Sequence, residues 1–159
     1  MSNLEDLVDR LIRARMDFVI VGGFAVLSHG ASMMTEDLDV CCPFSEDNLK
    51  ALWSALSDLH PVHRMTPQRL PFEVTPELPV GLKNLYLATD LGKLDCLGEI
   101  LGVGPFEEVN RSSVEIRFES GCCKVLGIDA LIKAKLATNR TRDRMAVLQL
   151  KAIKERTGS

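Results

Sequence analysis

The stretch FVIVGGFAVLSHGASMMTEDLDV, residues 18–40, constrains the fold more tightly than any other part of the chain. Its opening run is apolar at every position, which fits a short strand buried on both faces. That run ends in Gly22-Gly23, and FAVLSHG then reads as a short helix closed by Gly30. A second strand, EDLDVCC, follows. Residues two apart on a strand share a face, so Asp37 and Asp39 point together while Leu38 and Val40 can enter the core.

The rest of the chain keeps mixing the two periods. Leu4, Leu7, Val8, Leu11 and Ile12 recur at helical spacing and predict an opening amphipathic helix. Ser45 can cap a helix through EDNLKALWSALSDL, in which Trp53 is expected as a core residue. Residues 66–81 hold four of the seven prolines and predict a loop. NLYLAT and GKLDCLG predict two strands around a turn at Asp90-Leu91-Gly92, and SSVEIRFESGCCKVL predicts a hairpin turning at Ser120-Gly121. From Ile128 the pattern is helical, with a break near Asn139-Arg140. The expected architecture is one α+β domain over 1–159. A mixed sheet flanked by helices occupies about 17–126, and C-terminal helices follow over about 128–156.

Composition narrows the function classes. A net charge of −3 argues against broad nonspecific nucleic-acid affinity. Five cysteines, without a C-x-x-C or a Cys/His cluster and with no signal-peptide pattern, are expected as reduced core thiols of a cytoplasmic protein. The longest apolar runs fall well short of a membrane span.

Two carboxylates on one strand face repel each other, and a divalent cation with oxygen preference removes that cost. A lone D-x-D is more often a pair of solvated aspartates, and a lone Gly-Gly more often a tight turn. Together, and close in sequence, they can grip a triphosphate and hold its metal. Asp95, in a strand whose neighbours Leu94 and Cys96 point the other way, is a third acid that needs a partner. Three such acids suit phosphoryl transfer with one or two Mg2+ ions, in which a carboxylate accepts the nucleophile's proton.

VGGFAVLSHGASMMTEDLDV followed by Asp95 in GKLDCL resembles the nucleotidyltransferase superfamily with a DNA polymerase β-like palm. The similarity is to its small prokaryotic branch of minimal nucleotidyltransferases and abortive-infection antitoxin-type proteins. DALIKAKLATNRTRDRMAVLQL is similar to that branch's C-terminal helix pair, at Leu131, Ile132, Lys135, Leu136, Ala137, Arg140, Arg142 and Asp143. The chain departs from the pattern at Met33, where relatives often carry arginine, at Ala146 in place of an aspartate, and at Gly23 in place of a serine.

The resemblance implies transfer of a nucleoside monophosphate from ATP or another nucleoside triphosphate to a hydroxyl on a protein, an RNA or a small molecule. Asp37, Asp39 and Asp95 would be the metal ligands and catalytic acids, and Gly22 and Gly23 would hold phosphates. Lys135 continues an apolar helical stripe and either snorkels outward or reaches an anion, which makes it the best cationic phosphate ligand. Lys93, on the face of Asp95, either touches phosphate or pairs with that acid, and Arg140 is a weaker candidate beside Arg142. Asp143 is expected to pair with one of those arginines. His29, His60 and His63 lack metal-ligand spacing and are expected as surface or packing residues. The acceptor pocket is expected to be shared with a second subunit or a toxin-like partner, with the Pro-rich loop lining it. The rival is an antitoxin-like binding module without turnover, motivated by Met33.

Overall fold

The computed structural model describes residues 3–32, 34–74 and 82–157. Helix α1 (Asn3–Arg13) buries Leu4, Leu7, Val8 and Leu11, the stripe its sequence spacing predicts. It leads to β1 (Val19–Val21), α2 (Gly22–Ser28) and β2 (Asp37–Cys41). The predicted glycine turn is absorbed into the helix: Gly22 is already its first residue. Helix α3 (Glu46–Leu56) is capped by Ser45, whose hydroxyl accepts from the Asn48 amide at 3.2 Å. Buried Asn48 also bonds the backbone of Asp17 at both its N–H and C=O and the carbonyl of Pro43, tying the entry to β1 to the exit from β2.

A 3-10 turn (Ser57–Leu59) precedes β3 (Val62–His63), and then come β4 (Asn84–Thr89) and β5 (Gly92–Leu97). A two-stranded ribbon, β6 (Glu99–Ile100) with β7 (Gly104–Pro105), leads into α4 (Phe106–Arg111). The predicted hairpin is β8 (Ser113–Phe118) and β9 (Gly121–Leu126). Helices α5 (Ile128–Thr138) and α6 (Thr141–Thr157) meet at Asn139, whose left-handed backbone makes the predicted break.

The main sheet runs β3-β4-β5-β2-β1-β9-β8. It is mixed: β1 pairs antiparallel with β2 and parallel with β9, and β2 pairs parallel with β5. The interior strand β1 is buried throughout, as a strand covered on both faces should be.

Two expectations need correction. Trp53 is 42% exposed, because α3 buries the stripe Leu49, Leu52 and Leu56 and leaves Trp53 at its edge. Cys122 is exposed, while Cys41, Cys42, Cys96 and Cys123 are free, buried thiols. The Pro-rich loop lies outside the described residues over 75–81; before that, Phe72 is buried and packs edge-on against His63 at 5.8 Å. Among the described residues no helix is long and apolar enough to cross a membrane.

Candidate active site

The register of β2 against β5 decides the site. In that parallel pairing Asp37 stands opposite Lys93, and Asp39 opposite Asp95. Cross-strand partners share a face, so all three acids lie on one side of the sheet, and Leu38, Val40, Leu94 and Cys96 lie buried on the other. The row extends both ways: Val21 faces Asp39 from β1, and Tyr86 faces Asp95 from β4.

Gly22 is why Asp39 fits. Its backbone is left-handed at φ +68°, and a Cβ there would press on the Asp39 carboxylate and come within 3.1 Å of its Cβ and Cγ. The head of α2 is thus in direct contact with the second acid of the pair. Burial first, then the charges of Asp95 and Asp37, push the Asp39 carboxyl up to about 6, against the pull of Lys135 and Arg64. Burial also raises Asp95, and outweighs the opposing effect of Arg64.

The arginine is the residue that sequence reasoning missed. Arg64 lies just past β3, and its amide donates to the Tyr86 carbonyl at 3.0 Å. Its Nη2 donates to Asp95 Oδ2 at 2.8 Å, and its guanidinium lies 5.5 Å from the Tyr86 ring centre. Neither Arg64 Nη1 nor Asp95 Oδ1 has a partner among the described residues, although both are buried. No three His, Cys, Asp or Glu side chains among the described residues are gathered as a metal cage. The donor set itself suits a hard divalent ion: carboxylates only, mutually repelling, with one buried oxygen unsatisfied.

Lys135 does not snorkel. Only 12% exposed, it reaches Asp143 Oδ1 at 3.5 Å, and its charge is felt at Asp39. Asp143 is 1% exposed and saturated: it accepts from Thr138 Oγ1 at 2.7 Å and from the Arg140 amide and guanidinium at 3.0, 2.8 and 3.3 Å. Of the two arginines expected as its partner, Arg140 is the one bound, and Arg142 is exposed. Burial alone would raise Asp143, but the bonds from Arg140 and Thr138 and the charge of Lys135 hold it far below the usual carboxylate range.

Lys93 is exposed on the face of the acids. His29 Nε2 lies 2.8 Å from the Leu126 carbonyl, a packing role, while His60 is a surface residue paired with Asp90 at 2.6 Å. Met33 lies outside the described residues. Next to it, Ser32 exchanges two backbone bonds with the Gln149 side chain, at 2.8 and 3.0 Å, anchoring the lead into β2 on α6. None of the three acids lines either of two clefts of about 780 and 590 Å³.

No protein-family model matches the chain, and no curated protein matches it by sequence. A solved structure does: the crystal structure of a candidate nucleotidyltransferase from Thermotoga maritima, at 16% identity and a TM-score of 0.56. The match covers 96% of this chain and 91% of that one. The fold is nucleotidyltransferase-like. The row from Asp39 to Asp95 lies on the mixed sheet, and helices α5 and α6 follow its last strand in the chain.

Proposed function

We propose that this protein is a Mg2+-dependent nucleotidyltransferase that moves a nucleoside monophosphate from a nucleoside triphosphate to a hydroxyl acceptor. The observation that carries the reading is the register that sets Asp39 beside Asp95, with Asp37 on the same face. Asp37, Asp39 and Asp95 would hold one or two Mg2+ ions, which when bound would neutralise charge on the phosphates and on the attacking and leaving oxygens.

This chain's residues supply the rest. Gly22, whose missing Cβ leaves room for the Asp39 carboxylate, and Gly23 would hold the triphosphate at the head of α2. Lys135 and the exposed Lys93 bring positive charge to the same region. The acceptor hydroxyl oxygen bonds to the α-phosphorus, the bond to the β-phosphate breaks, and pyrophosphate leaves. Asp95 takes the hydroxyl proton. The acceptor is a protein, an RNA end or a small molecule, and a second subunit or a toxin-like partner completes its pocket.

One observation favours a second reading, an antitoxin-like binding module without turnover. Asp95 is already held in an ion pair with Arg64, and among the described residues no three His, Cys, Asp or Glu side chains form a metal cage. Incubation with α-labelled nucleoside triphosphates and Mg2+, with and without candidate partner proteins, separates the two. Label transfer that Asp37→Asn with Asp39→Asn abolishes establishes the enzyme. Absence of transfer to any acceptor, with partner binding intact in the double variant, establishes the module.

A further inference from the structure

Buried Asp143 and part-buried Asp95 are held in opposite ways. Asp143 takes bonds on both oxygens from Thr138, Arg140 and Lys135 and has no capacity to spare. Among the described residues Asp95 takes one bond, from Arg64 Nη2, and leaves Oδ1 empty-handed while Arg64 keeps an unused buried donor at Nη1.

An arginine–carboxylate pair built for stability is commonly two-pronged, so that neither group is left with a desolvated orphan. Here the pair leaves one orphan on each side. Arg64 also has an alternative support in the Tyr86 ring, 5.5 Å away on the neighbouring strand, and a backbone anchor that does not depend on Asp95. Arg64 and Asp95 are 15% and 14% exposed, so little solvent screens the pair.

We infer that Arg64 is a positioning residue that stands in for a divalent cation at Asp95 and yields that carboxylate when the cation binds. The guanidinium neutralises Asp95 in the metal-free protein and occupies one of its two oxygens. Metal loading then requires the ion pair to open, with Tyr86 retaining the guanidinium at the rim of the site. The inference rests on the metal-binding reading of the three acids and adds a competition that this reading does not contain.

The test uses the full chain without nucleotide. Calorimetric Mg2+ titration compares wild type, Arg64→Gln, Arg64→Lys and Asp95→Asn. Removing a competing positive charge at hydrogen-bond distance should tighten Mg2+ binding by about tenfold or more in Arg64→Gln. Arg64→Lys should stay close to wild type, and Asp95→Asn should bind more weakly. A purely structural arginine would leave Mg2+ affinity unchanged or lowered in Arg64→Gln, and that result overturns the inference.

A wild-type measurement guards against a variant that fails to fold. The side-chain 15N–1H resonance of Arg64 should shift as Mg2+ saturates the protein; a resonance unmoved at saturation also overturns the inference. Wild type that takes up no Mg2+ would instead refute the metal reading of the site, and this inference with it.

Discussion

Asp39 and Asp95 face each other across adjacent parallel strands, and the charge of Asp95 makes Asp39 harder to ionise. Strands β2 and β5 could have held apolar pairs here, as they do at Val40 and Cys96. Stability is being given up at a place that suits cation binding.

Asp39→Asn should therefore stabilise the metal-free protein while abolishing metal binding and transfer. The folded-state carboxyl titrates at about 6 against an ordinary 3.8. Between those values the folded state binds the extra proton, so wild-type stability should fall as pH rises from about 4 to 6 and then level off. At pH 7 the substitution should recover up to about 3 kcal/mol. Urea midpoints of wild type and variant at about pH 4 and 7, at the two ends of that transition, would check it. An Asp39→Asn protein less stable than wild type at pH 7 would refute the repulsion argument.

Gly22→Ala should damage the site from the other side. The new Cβ meets the Asp39 carboxylate, and φ +68° is strained for any side chain but glycine's. A loss of about 1–3 kcal/mol is expected. Mg2+ affinity, measured by calorimetry, should weaken as Asp39 is displaced; unchanged stability and affinity would mean that the backbone relaxes freely.

Asp143→Asn tests the join between α5 and α6. It leaves Lys135 and Arg140 without their shared acid, at a cost of about 3–5 kcal/mol for breaking a buried pair. Because the folded Asp143 is held below the ordinary value, its contribution is present above about pH 4 and is lost as pH falls further. The gap between wild type and variant should thus narrow on acidification, which chemical denaturation at pH 7 and pH 3 would show.

Lys135→Met separates phosphate binding from stability. Asp143 keeps Arg140 and Thr138, so the fold should survive. Affinity for a nucleoside triphosphate should drop by about tenfold or more, while Mg2+ binding without nucleotide changes little. Equal nucleotide affinity in both proteins would confine Lys135 to its pairing with Asp143.

Much of this site was legible locally. Period-two alternation puts Asp37 and Asp39 on one face, the Gly-Gly marks a close approach, and the Asn139 break and the Ser45 cap are where turn and cap chemistry predicts them. Those features depend on residues a few positions apart, which share backbone geometry. The partner of Asp95 did not follow from any local pattern. Arg64 reaches it from just past a two-residue edge strand with no period of its own, and Lys135 and Arg140 meet on Asp143 only because two helices fold back on each other. Trp53 erred for the same reason: helical spacing shows a stripe, but what packs on it fixes the stripe's edge. Sequence alone determined which side chains share a strand or helix face, because that is backbone geometry. Which charges stand together was decided by strand register and helix docking, where hydrophobic burial between distant segments sets the alignment and the polar groups must accept the neighbours it brings.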